Sequence, residues 1–201
     1  NHPTFHLSKM GIKIEKKPNL INSIFFNLLI NKKNLKKIFT IDPLLRKYLK
    51  KIKNNNYKKI EILPVTANLN LKNKYLKKFN LNKIFKKKDY FILVYGAIKE
   101  SKNIISLIKS INKVNLKNIK IIIGGKIDIK FKKKLMIFIN VKKKISKNIF
   151  LFDKYLSEGE TTILFKKCNL IWLCYKKEHF TSSSVLIKAG MNKKKIIACN
   201  H

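Results

Sequence analysis

The sequence predicts an α/β fold, a parallel sheet with helices packed along it, and three observations carry that expectation. From Tyr90 onward, short apolar runs rich in β-forming residues alternate with stretches of helical period. The runs are continuously apolar rather than alternating, as suits strands buried on both faces. Two of them leave through glycine, the residue that lets a chain turn sharply at a strand tip.

Taken in order, "NLINSIFFNLLINKK" (19–33) has a helical period, "KKIFTID" reads as a strand closed by Asp42-Pro43, "LLRKYLKKIK" as a helix, and "KIEILPV" as a strand closed by Pro64. This is βαβ material with only about two strands, so residues 1–85 are expected to form part of a lobe and a linker. The lysine-rich segment 72–88 is the expected hinge. "YFILVYG" (90–96) is the first strand of the second half, and "SKNIISLIKSINK" (101–113) is a helix with Ile104, Ile108 and Ile111 on one face. "KIIIGG" (120–125) is the next strand, followed by a helix around "FKKKLMIFI" (131–139) and a strand "NIFLF" (148–152). "SEGETTILFKKC" (157–168) opens on a Ser or Glu cap, with Ile163, Leu164 and Cys168 facing inward. "LIWLCY" (170–175), "SSSVLIKAGM" (182–191) and "KIIAC" (195–199) complete the set as strand, helix and strand. Five strands joined by four helical crossovers imply a Rossmann-like parallel sheet spanning 86–201. Ligands of such sheets sit at the carboxyl ends of the strands, which places Gly96, Gly124, Phe152 to Tyr155 and Tyr175 to Ser184 on one rim.

A net charge of +37 would ordinarily point to nucleic acid. Of 47 basic residues, however, Arg46 is the only arginine, which leaves 46 lysines. Base recognition leans on the bidentate guanidinium that lysine lacks, and these lysines are spread along the whole chain. Specific nucleic-acid binding is therefore not expected, while a peripheral contact with anionic membrane is compatible with the charge. Cys168, Cys174 and Cys199 are odd in number and lack C-x-x-C spacing, which argues for a reducing, cytoplasmic setting. Cys168 and Cys199 stand in apolar surroundings and are expected in the core. The longest apolar stretches are near ten residues, against about 20 needed to span a bilayer. No signal peptide opens the chain, and its first residue is Asn rather than Met, as in a fragment whose upstream segment is missing.

The order of "ILVYGAIKESKNIISLIKSI", "KIIIGG" and "NIFLFDKYLSEGETTILFKKCNLIWLCYKKEHFTSSSVLIKAGMNKKKIIAC" resembles the donor-binding lobe of GT-B glycosyltransferases of the family 4, or glycosyl transferases group 1, type. The resemblance covers about residues 88–200, and 15–85 as the tail of an acceptor lobe. It implies a metal-independent glycosyltransferase with no permanently bound cofactor. Its donor would be a nucleotide-diphosphate sugar, and its acceptor a sugar, a lipid-linked molecule or a small molecule.

Gly96 matches the glycine that lets a diphosphate approach the backbone, and Lys102 the lysine kept for the donor's phosphates. The plain alternatives are a turn glycine and one more solvated lysine. Ser182, Ser183 and Ser184, with Val185, lie at the start of a helix, where unpaired amides and the helix dipole favour phosphate. A simple N-cap is the competing account. The family's arginine after the glycine is Ala97 here. Its ribose-binding glutamate is Lys188, which has donors and no acceptor. Helical spacing sets Lys188 on the face of Ser184, with Val185, Leu186 and Ala189 pointing inward. Glu178 stands near the glutamate that faces the sugar, and Tyr155 is placed to stack on a base. His6 is expected near the cleft from the first lobe. No histidine has metal-ligand spacing, no D-x-D pair occurs, and no G-x-G-x-x-G marks a nicotinamide site. A non-catalytic, decayed nucleotide-sugar-binding relative and a charge-driven polyanion binder are the competing functions.

Overall fold

The computed structural model describes residues 6, 10, 20–63, 84–114, 117–141, 146–176 and 183–199. The described residues up to Leu63 form one compact unit, and those from Ile84 onward a second. The expected hinge at 72–88 falls mostly outside the described residues.

In the first unit, helix α1 (Leu20–Ile30) is followed by β1 (Ile38–Thr40), α2 (Pro43–Lys51), a 3-10 turn (Asn55–Lys59) and β2 (Ile60–Ile62). β1 and β2 pair in parallel. Asp42 caps α2 by accepting from the Leu44 amide at 2.9 Å, and proline follows at the first helical position, where no amide partner is needed. Ile30, Leu45, Tyr48, Leu49 and Ile60 form the core of this unit. His6 is fully buried, with Nε2 2.8 Å from the Asp42 carboxylate.

The second unit runs β3 (Tyr90–Tyr95), a 3-10 turn (Glu100–Lys102), α3 (Ile104–Val114), β4 (Ile119–Gly124), α4 (Ile129–Val141), β5 (Ile149–Phe152), α5 (Glu158–Lys167), β6 (Leu170–Leu173), α6 (Ser184–Met191) and β7 (Lys195–Ala198). Its five strands are all parallel, in the order β5-β4-β3-β6-β7. This is the Rossmann-like sheet expected from the sequence. Side chains of one strand alternate between two cores, as a pleat of period two requires. Ile92 and Val94 join Ile104, Ile108, Phe131 and Leu135 beneath α3 and α4. Phe91 and Leu93 join Leu164, Phe165, Val185 and Ala189 beneath α5 and α6. Ser157 begins α5 with a capping box, its side chain accepting from the Glu160 amide while Glu160 accepts from the Ser157 amide.

Two expectations of burial fail. Leu186 is 48% exposed, because Val185 and Ala189, one turn apart, already fill the inward stripe of α6. Cys199 is exposed, because it follows β7 at the sheet edge; Cys168 and Cys174 are buried.

Candidate functional site at the carboxyl ends of β3 and β6

The strand order reverses at β3. The chain leaves it towards β4 on one side and returns through β6 on the other. In open parallel sheets a crevice forms at such a point. The pairing opens it further. β3 and β4 stay in register as far as Tyr95↔Gly124. β3 and β6 pair only at Ile92↔Leu170 and Leu93↔Ile171, two residues short of either carboxyl end.

The 3-10 turn carrying Lys102 closes over this gap. Trp172 Nε1 donates to the Lys102 carbonyl at 3.0 Å, and the Lys176 amide donates to the Ser101 carbonyl at 2.8 Å. Asn103 follows in a left-handed conformation with φ 53°, which ends the turn and starts α3. The result is a lysine side chain turned inward. Lys102 is 8% exposed, so the solvated lysine allowed by the sequence is not what the fold makes of it. Its ammonium lies 4.9 Å from the centre of the Tyr175 ring and donates to the Tyr175 hydroxyl at 3.4 Å. Among the described residues no carboxylate comes within 4.0 Å of it. Glu100, two residues away, is engaged by Lys134 at 2.7 Å and Lys176 at 3.1 Å. Burial pushes the Lys102 pKa down from 10.5 to about 8.

Gly96 sits across from this ammonium with φ 100°, a conformation that favours glycine. A Cβ there would stand 3.7 Å from Lys102 Nζ and 3.7 Å from a Val185 methyl, so both α6 and the lysine face this strand tip. Behind it, Gly125 has φ 142°, and a Cβ on it would fall 1.9 Å from the Gly96 carbonyl oxygen. The Gly96–Gly125 contact therefore forms a backbone floor that no side chain can enter.

Ser183 caps α6 by accepting from the Leu186 amide at 3.3 Å, and its hydroxyl meets the Tyr175 hydroxyl at 3.1 Å. The Leu186 and Ile187 amides also approach the Ser183 carbonyl. By helix geometry the amides of Ser184 and Val185 have no acceptor within the helix. Ser184 is exposed, whereas Val185 is buried against the sheet. Lys188 holds its ammonium 5.5 Å from the Tyr95 ring centre, and Tyr95 in turn meets Thr161 Oγ1 at 3.1 Å. Lys188 thus lies against the tip of β3.

Of the residues singled out in the sequence, the structure gathers Gly96, Lys102, Ser183, Val185 and, one residue along, Ser184. Lys188 stands beside them on Tyr95. Tyr155 is 87% exposed on the loop after β5, a strand two places from β3 and hence about 10 Å across the sheet. Ser182 and Glu178 lie outside the described residues. Tyr175 was placed on the rim by sequence and given no role; its position two residues past β6, facing the serine-led helix, was the available signal.

No family model matches the chain, and no curated protein matches it in sequence. Among solved structures the architecture is that of GT-B glycosyltransferases. Sucrose-phosphate synthase from Thermosynechococcus elongatus aligns with a TM-score of 0.69 at 10% identity, over 98% of this chain and 48% of its own. WaaG, a glycosyltransferase involved in lipopolysaccharide biosynthesis, gives 0.66 at 12% identity, over 92% of this chain and 52% of its own. HepE of Anabaena, solved in complex with UDP and glucose, gives 0.63 at 10% identity, over 88% of this chain and 47% of its own. At these identities the likeness is one of fold, and the chain spans about half the length of the structures it matches. No helix among the described residues is long and apolar enough to cross a membrane.

Proposed function

We propose that the chain is the donor-binding part of a glycosyltransferase, holding a nucleotide-diphosphate sugar in the crevice between β3 and β6. Residues 86–201 are the donor lobe in this reading, and 1–85 are acceptor-side material. The observation that carries it is Lys102, a buried ammonium that no carboxylate among the described residues reaches, set against a glycine floor and the start of a capped helix. A buried cation without a partner is costly, and a bound anion removes that cost. The solved HepE complexes contain UDP or UDP-glucose, which makes a uridine nucleotide the first donor to try.

In the transfer, the bond between the anomeric carbon and the diphosphate oxygen breaks and its electron pair stays on the diphosphate. An acceptor oxygen bonds to the carbon and releases its proton. Lys102 and the amides of Ser184 and Val185 supply positive charge where negative charge grows, so the proposed step uses no metal. Glu178 is the candidate to face the sugar, and Tyr155 the candidate to stack on the base. A sugar, a lipid-linked molecule or a small molecule serves as acceptor, and contact with anionic membrane would bring a lipid-linked one within reach.

The test is binding of UDP, GDP and ADP, together with sugar transfer by the wild type and by Lys102→Ala. The reading expects one diphosphate to bind and Lys102→Ala to lower the transfer rate by about 100-fold. No binding by any of the three, or transfer unaffected by Lys102→Ala, would falsify it. Ala97 and Lys188, which take the place of an expected arginine and an expected ribose acceptor, favour a second reading: binding without transfer. Donor turnover excludes that alternative.

A further inference from the structure

We infer that Tyr175 is a positioning residue of the anion site: its ring face and hydroxyl hold the Lys102 ammonium in place and join it to the serine that caps α6. This inference rests on the donor-site reading above and deepens it.

Lys102 reaches the crevice from the turn after β3, while Ser183 arrives with α6 after β6. Among the described residues Tyr175 touches both, at 3.4 Å from Lys102 Nζ and 3.1 Å from Ser183 Oγ. An ammonium can only donate, so the phenol oxygen accepts from Lys102. The Tyr175 hydroxyl also meets Ser183 Oγ, which accepts from the Leu186 amide at 3.3 Å. One side chain therefore links the ammonium from the turn after β3 to the hydroxyl that caps α6.

The electrostatic surroundings leave this task to Tyr175. From the turn, Glu100 is occupied by Lys134 and Lys176. From α6, a Val185 methyl faces the same glycine as Lys102, and Lys188 lies over Tyr95. From β4, the backbone of Gly125 packs against Gly96. Among the described residues, the contacts that favour the charged form of Lys102 are thus the ring face at 4.9 Å and the phenol oxygen. They only partly offset burial, consistent with a pKa displaced to about 8.

The test is titration of UDP into the wild type, Tyr175→Phe, Tyr175→Leu and Lys102→Arg between pH 7.0 and 9.0, with thermal melts of each. In the wild type, affinity is expected to fall about eightfold from pH 7.5 to 9.0 as Lys102 loses its proton. Arginine keeps its charge throughout, so Lys102→Arg should be flat and reports any titration of UDP itself. Tyr175→Phe, which keeps the ring, should bind about threefold to tenfold more weakly at pH 7.0 and lose affinity at a lower pH than the wild type. Tyr175→Leu should go further in both respects, and if it fails to fold, Tyr175→Phe still decides the matter. Tyrosine variants that bind like the wild type overturn the inference. So do variants that are weaker by one factor at every pH, the mark of a purely structural role. Failure of the wild type to bind UDP, GDP and ADP overturns the donor-site reading and this inference together.

Discussion

Replacing Lys102 with methionine should make the protein more stable at neutral pH while destroying its anion site. The side chain is unbranched and nearly as long, and its thioether and methyl replace the buried end of the lysine beside the Tyr175 ring with apolar groups. What disappears is an ammonium held away from water. Its displacement from 10.5 to about 8 corresponds to about 3 kcal/mol at pH 7, at about 1.4 kcal/mol per pH unit. Losing the contacts with Tyr175 returns about 1 kcal/mol, so a net gain of about 2 kcal/mol is expected.

The sign of the pH dependence is specific. Between about 8 and 10.5 the unfolded chain carries a proton on Lys102 that the folded chain lacks. Wild-type stability therefore rises with pH through that window relative to the variant. The gap between Lys102→Met and the wild type should be widest near pH 7 and narrow by about 2 kcal/mol at pH 9.5. Urea unfolding of both proteins at the two pH values measures it. A variant less stable than the wild type at pH 7, or a gap indifferent to pH, would refute the claim that Lys102 is a buried cation whose contacts only partly offset its burial.

Two further substitutions probe the frame around the site. Gly125→Ala puts a Cβ 1.9 Å from the Gly96 carbonyl oxygen at φ 142°, so it should cost about 4 kcal/mol or more in denaturant titrations; a loss under 1 kcal/mol would mean the strand tips are not in contact. Lys193 ends α6 at φ 51°, a left-handed position that glycine adopts without strain, so Lys193→Gly should raise stability by about 1 kcal/mol.

Much of the second unit was legible because its signal is local. Each buried strand is a continuous apolar run, and each β-to-α turn is marked by glycine or by a polar residue that caps a helix. The positive φ of Lys193 just past α6 has no such signal, because a lysine there looks like the lysines around it. The role of Lys102 could not be read in the same way. In a chain with 46 lysines its burial depends on contacts far along the sequence, from Trp172 and Lys176 to the turn and from Tyr175 to the ammonium. Tyr175 was missed for the same reason: its function is a distance to two residues on separate elements, and no spacing encodes it. Leu186 is apolar and adjacent to Val185, which does not separate it in sequence from the inward face, whereas a short helix on a sheet buries only the narrow stripe of Val185 and Ala189. Cys199 was misassigned because apolar neighbours in sequence do not reveal that β7 is an edge strand.

The most direct test of the central claim is calorimetric titration of UDP into the wild-type protein at pH 7.0, at low salt and again at 0.5 M salt. A built diphosphate site predicts saturable binding of one nucleotide per chain that survives the added salt, since a buried cation is screened far less than exposed ones. Absence of binding, or a weak signal that vanishes with salt and is matched by any polyanion, would show that the charge of this chain is only a solvated coat.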